Sequence, residues 1–172
     1  MTNTPPWRAR LNPALEGLDV YDVPPATAPA RMHANESPEP WSASAMKDVV
    51  AAVESVELNR YPDTSGRALR AVLGERHGVD PSRIVLGNGS DEIISLLLTA
   101  LLQPGHRPRV VIPTPTFVMY AHSAQVLGFD VTGVPLRDDF ELDEDAMRRA
   151  LGGASICFLA RPNNPTSSLW DA

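Results

Sequence analysis

The chain has 172 residues, enough for one domain with a real core, and its 43% hydrophobic share excludes a fully disordered protein. A formal net charge of -6, with no run of Lys and Arg, excludes a broad nucleic-acid surface. The greasiest stretch, Ile93 to Leu102, is far shorter than the ~20 residues a membrane helix requires, and the Met1 to Arg8 stretch has no apolar core of a secretory signal.

Residues 1–40 hold eight of the 17 prolines, so this segment is neither regular helix nor central strand. It reads as an extended arm that needs another surface to lie against. Residues 41–80 read as a helical segment. Ser42 or Ser44 caps a helix whose Met46, Val49, Val50, Val53 and Val56 form one apolar stripe. Asn59-Arg-Tyr-Pro-Asp63 breaks it, and a second helix covers Ser65 to His77, stopped by Gly78.

Residues 81–172 alternate strand and helix. Strands are expected at Arg83 to Gly87, Arg109 to Ile112, Phe129 to Leu136 and Ser155 to Ala160. Helices are expected at Ser90 to Leu102, Phe117 to Leu127 and Asp143 to Leu151. The fold class is therefore α/β, with a mostly parallel sheet and flanking helices. In the last helix Asp143-Glu-Asp145 leads and Arg148-Arg149 follows, the charge order that a solvated helix favours. The single cysteine, Cys157, lies in an apolar run and reads as a small buried hydrophobe; with no disulfide available, a reducing cytoplasm is expected. His33, His77, His106 and His122 show no metal-ligand spacing, and no metal site is expected.

Three loops carry the residues with chemical potential. Gly87-Asn-Gly-Ser-Asp-Glu92 joins a strand to a helix. Its glycines permit a tight turn, Ser90 or Asp91 can cap the helix, and the free amides of a helix start suit phosphate. A plain strand-turn-helix junction has the same pattern. The dinucleotide motif needs a further glycine that is absent, as is the P-loop, which weighs against a nucleotide-binding domain. Pro113-Thr-Pro-Thr-Phe117 follows the next strand at the edge where open α/β sheets bind ligands, and Phe117 can stack on a flat ring or fill the core. Arg161-Pro-Asn-Asn-Pro-Thr166 leaves the last strand at the same edge, its prolines aiming two carboxamides. Paired asparagines also make ordinary turns.

His33-Ala-Asn-Glu36, Arg60-Tyr-Pro-Asp63, Gly87 to Glu92, Pro115-Thr-Phe-Val-Met-Tyr120 and Pro162-Asn-Asn-Pro-Thr166 together resemble, in order and approximate spacing, the successive motifs of histidinol-phosphate aminotransferases. The resemblance runs from about Leu18 to Thr166. It implies a partial fold-type-I large domain, preceded by the arm and part of a small domain, and pyridoxal 5'-phosphate as cofactor. Gly89, Ser90 and Asp91 would hold the cofactor phosphate, Phe117 would stack on the pyridine ring, and Asn164 would bond the ring hydroxyl. Tyr61 would reach the phosphate in a partner subunit, implying a homodimer. Tyr21 and Asn35 would lie on the substrate side. The implied reaction is transamination between histidinol phosphate and 2-oxoglutarate in histidine biosynthesis. Threonine-phosphate decarboxylase shares much of this motif set, and a non-catalytic remnant or dimerisation partner is a further reading.

Two positions depart from the family pattern. Phe117 stands where tyrosine is usual, and Ser167 stands where glycine is usual; if that backbone needs positive φ, serine is strained. With Ser168 to Ala172 following, the sequence is expected to leave the family's frame near residue 167. No residue takes the Schiff-base role, because the only lysine, Lys47, sits on the first predicted helix as a surface residue. The family's lysine, its aspartate partner for the pyridine nitrogen and its substrate-binding arginines come after the Asn-Pro-Thr motif. The chain is therefore expected to be the front half of such an enzyme, inactive alone. Strands that separate the first strand from the next three would be missing, so poor stability, aggregation or need for a complementing segment is expected.

Overall fold

The computed structural model describes residues 9–15, 18 and 36–170. The chain divides into two compact units, Asp19–Ile84 on one hand and Met1–Leu18 with Val85–Ala172 on the other.

In the first unit, α1 spans Ala43–Glu54 because Ser42 caps it, its hydroxyl accepting the Ala45 amide at 3.2 Å. Its stripe of Met46, Val49, Val50, Val53 and Val56 is exposed. The helix α2, Arg67–His77, starts two residues later than the sequence pattern suggests. Asp63 accepts bonds from the Ser65 amide, the Ser65 hydroxyl and the Arg67 amide, and these form the turn before the helix. Gly78, at φ 64°, closes α2, and the chain then runs so near Gly74 that a Cβ there would meet the Val79 carbonyl oxygen at 2.7 Å.

The second unit is built on three parallel strands, β1 Arg109–Thr114, β2 Asp130–Pro135 and β3 Ile156–Cys157, in the order β2-β1-β3. Three helices accompany them: α3 Ser90–Ala100, α4 Met119–Val126 and α5 Glu144–Leu151. Side chains alternate across the pleat of β1. Val110 and Ile112 join Ile94, Leu98, Ala124 and Phe129 in a core under α3 and α4. Val111 faces the other way and packs with Val134 and Met147 of α5. The connection β1-α4-β2 thus covers one face and β2-α5-β3 returns across the other, which is the doubly wound arrangement.

Local signals explain the helix ends. Asp143 caps α5 through the Ala146 amide at 2.9 Å, and the Arg109 guanidinium closes its far end by donating to the Ala150 and Gly152 carbonyls. Glu144 and Arg148 pair one turn apart on its solvated side. Gly128, at φ 79°, turns the chain from α4 into β2. Residues 12–15 of the N-terminal arm lie against α4. A 3-10 turn at Pro13–Leu15 rests on α4, and Asn12 donates to the Val126 carbonyl at 2.9 Å.

Two expectations are corrected. The strand foreseen at Arg83 to Gly87 does not form: Pro81–Arg83 is a 3-10 turn, and the apolar residues after it pair with no strand among the described residues, leaving Val85 72% exposed. The strand foreseen at Ser155 to Ala160 is ordered as strand only over Ile156–Cys157. A strand exists through its neighbour's hydrogen bonds, and an apolar run does not supply one. Among the described residues no helix is long and apolar enough to cross a membrane.

Candidate functional site

The turn at Gly87 to Glu92 places α3 with its first amides open. Gly89 is the N-cap at φ 81°, and no side chain caps the helix, so neither Ser90 nor Asp91 plays the capping role the sequence suggested. Both are the first helical residues instead. A Cβ on Gly89 would meet nothing within 4 Å. The Glu92 carboxylate turns back and accepts the Asn88 amide, and the Gly89 amide donates to the Gly87 carbonyl at 3.0 Å, so Ser90, Asp91 and Glu92 carry the helix-start amides without an intrahelical acceptor. All three residues are exposed. That is the donor set an anion needs.

The loops after β1 and β3 are joined directly. Asn163, 3% exposed, accepts the Thr116 hydroxyl at 2.8 Å on Oδ1 and donates through Nδ2 to the Pro115 carbonyl at 3.1 Å and the Thr166 hydroxyl at 2.9 Å. Its neighbour Asn164 is exposed and its carboxamide bonds to nothing described. The two asparagines thus divide the work: one holds the loops, the other faces outward. Three peptide bonds here, Thr114–Pro115, Arg161–Pro162 and Asn164–Pro165, are cis.

Phe117 precedes α4 rather than belonging to it, and is half-buried against the α3–α4 core. Its ring meets Tyr120 edge-on, with centroids 5.5 Å apart, and Tyr120 stacks flat on Phe158 at 4.8 Å. Burial raises the Tyr120 pKa above its ordinary value. The sequence pattern identified Phe117 but neither the aromatic ladder behind it nor the tether at Asn163. The prolines flanking the asparagine pair were the one available signal for the latter.

Ser167 has φ 60°, so the position does require the left-handed backbone. Ser167→Gly removes a steric cost of about 1–2 kcal/mol, offset by about 0.4–1 kcal/mol of added freedom in the unfolded chain. A net gain of roughly half a kcal/mol is expected, read as a higher urea midpoint; a lower midpoint would contradict it. Beyond Ser167 the chain stays packed. The Ser168 hydroxyl and the Trp170 indole both donate to the Phe140 carbonyl, at 3.1 and 3.2 Å.

Tyr61 is 99% exposed and belongs to the other unit. Its loop is held by Asp63, whose pKa is lowered by the Ser65 hydroxyl, then by the Ser65 and Arg67 amides. The depressed carboxylate contributes stability above the ordinary Asp range, and the contribution is lost as pH falls through the lowered value. Lower protection of the Ser65 and Arg67 amides, measured against the intrinsic exchange rate at each pH, is therefore expected on acidification, and Asp63→Asn should show it already at neutral pH. Lys47 is exposed on α1. Tyr21 and Asn35 lie outside the described residues. Cys157 is half-buried, and desolvation raises its pKa. No group of three His, Cys, Asp or Glu among the described residues could hold a metal ion.

The family model for aminotransferase class I and II matches residues 28–172. The match continues through the tail, which corrects the expectation that the sequence leaves the frame near residue 167. Histidinol-phosphate aminotransferase from Paracidovorax citrulli is 42% identical over 167 residues, covering 94% of this chain and 45% of that protein. The chain thus spans less than half the length of the curated relatives it matches. Among solved structures, histidinol-phosphate aminotransferase from Sinorhizobium meliloti, in complex with pyridoxal-5'-phosphate, superposes with a TM-score of 0.76 at 24% identity, covering 91% of this chain and 44% of that one. L-threonine-O-3-phosphate decarboxylase from Porphyromonas gingivalis gives a TM-score of 0.57 at 25% identity, covering 72% and 36%. These two likenesses place the fold among the aminotransferase-type α/β structures.

Proposed function

Because the chain belongs to the aminotransferase class I and II family, we propose that it is the cofactor-holding front half of a pyridoxal-phosphate-dependent histidinol-phosphate aminotransferase. The observation that carries this reading is the pair Asn163 and Asn164. A buried carboxamide ties the loop bearing Phe117 to the loop that presents a second, unbonded carboxamide to solvent. In this reading Phe117 would stack on the cofactor's flat ring and the Asn164 carboxamide would donate to its ring hydroxyl. The open amides of Ser90 and Asp91 at the start of α3, presented by the positive-φ turn at Gly89, suit the ring's phosphate. These residues fit the cofactor. When bound, pyridoxal phosphate supplies the electron sink for amino-group transfer. What this chain contributes is binding and orientation of that ring.

No residue here is assigned the covalent role: Lys47 is the only lysine and is an exposed residue of α1. Tyr61, fully projecting, suits contact with the phosphate of a second subunit, and Tyr21 with Asn35 would serve the substrate side. Histidinol phosphate and 2-oxoglutarate are the substrate pair we assign, on the strength of relatives named for that activity.

Titration of the chain with pyridoxal 5'-phosphate, followed by induced circular dichroism, tests the reading. Saturable binding is expected, and Phe117→Ala should weaken it about tenfold, the worth of one aromatic contact. Histidinol phosphate, but not threonine phosphate, should then change the dichroic band. Absence of any induced signal would remove the cofactor assignment, and the converse substrate preference would favour the decarboxylase reading.

A further inference from the structure

We infer that Asn163 is a positioning residue for the cofactor ring, setting the distance between the stacking platform of Phe117 and the carboxamide of Asn164; this rests on the function proposed above. Every hydrogen-bonding group of Asn163 has a partner. Oδ1 accepts from Thr116, Nδ2 donates to the Pro115 carbonyl and to Thr166, the backbone amide donates to the Ser168 carbonyl at 2.9 Å, and the backbone carbonyl accepts from the Ser167 amide at 2.7 Å. The Pro115 carbonyl accepts only, and this fixes which way the carboxamide is turned. Aspartate has no donor for that carbonyl, and threonine and serine are too short to bridge both loops. Only a carboxamide supplies one acceptor and two donors at this reach.

The bonded residues stand directly beside the groups they would position. Thr116 precedes Phe117, and Asn163 precedes Asn164. The Thr116–Asn163 bond therefore acts one residue from a ring-contacting side chain at each end, across a sequence gap of 47 residues. The chain continues the same network outward. Thr166 meets Ser168 at 3.0 Å, and Ser168 bonds the Phe140 carbonyl, so the second loop is braced from behind and cannot follow the first if the tether is cut. Burial of a carboxamide with all its bonds made gives one arrangement, because any other leaves a polar atom unpaired in the core.

The test compares pyridoxal 5'-phosphate with its analogue lacking the ring hydroxyl, on the unaltered chain and on Thr116→Val, Asn163→Ala and Asn164→Ala. Thr116→Val deletes a single bond and keeps the side-chain shape, so it serves where Asn163→Ala fails to fold. The unaltered chain is expected to prefer the hydroxylated ring about tenfold. Thr116→Val and Asn163→Ala should each bring that preference close to one, as Asn164→Ala does, while inorganic phosphate binds with unchanged affinity. A merely structural tether would lower stability and leave the preference near tenfold, which would overturn the inference.

If the unaltered chain binds neither ring, the proposed function fails on its own, and amide exchange then decides the tether. Thr116→Val is expected to speed exchange of the Asn163 and Ser167 amides about tenfold, the loss of one buried bond. Unchanged exchange at both would overturn the inference independently of any ligand.

Discussion

Leu98→Ala is expected to remove about 3 kcal/mol of folding free energy, the ordinary cost of emptying a fully buried leucine site. Leu98 is 0% exposed and sits in the cluster where α3 meets α4 and the face of β1. The surroundings cannot easily collapse into the space, because strand pairing fixes Val110 on both sides and Ile112 against β2. The loss is large relative to a typical domain stability of about 5–15 kcal/mol. This chain has less in reserve, since Val85, Leu96 and Leu97 are exposed by 72%, 49% and 46%, each forgoing part of the about 1.5–3 kcal/mol that full burial gives. Native-state amide exchange over β1 reads the effect. Protection at Val110 to Ile112 should fall by about two orders of magnitude, 1.4 kcal/mol being tenfold. A loss below tenfold would mean that α3 does not pack as described.

Trp170→Ala is expected to cost about 3 kcal/mol, although it lies beyond the last recognisable motif. The indole is 6% exposed and bonds the Phe140 carbonyl, a residue held at φ 63° between β2 and α5. Trp170→Phe keeps most of the bulk and loses the bond, so a smaller cost of about 1 kcal/mol is expected. Amide exchange at Arg137 and Phe140, which bond Glu141 and Arg137 respectively, distinguishes the two variants. Equal effects would show that the bond alone matters, and no effect would detach the tail from the fold.

The sequence made the helices and the order of the loops legible because their signals are local. Ser42, Asp143, Gly78 and Gly128 each act within a turn of their own position, and the structure uses all four. Strands depend on distant partners, and there the sequence misleads: the apolar residues after Arg83 have the composition of a strand and pair with no neighbour among the described residues. Capping at α3 went to Gly89 because the turn needs positive φ at that point, whatever hydroxyls follow. The departure expected near residue 167 was inferred from a missing glycine. The backbone kept the left-handed turn anyway, with serine bearing the strain. Asn163 and Asn164 are chemically identical, so nothing in composition says which is buried. Only the neighbouring loop, 47 residues earlier, decides it.

The two margins of the sheet are chemically unlike. β2 ends in Pro135, which has no amide to offer, and its Asp130 is engaged by Arg107. β3 belongs to a run of Ile156, Cys157, Phe158, Leu159 and Ala160, without charge, glycine or proline, and its side chains reach the cores on both faces. That is the composition of an interior strand standing at an edge. Among the described residues β3 is thus the margin whose hydrogen-bonding edge and apolar side chains lack a neighbour, and a further strand fits there better than beside the proline that ends β2.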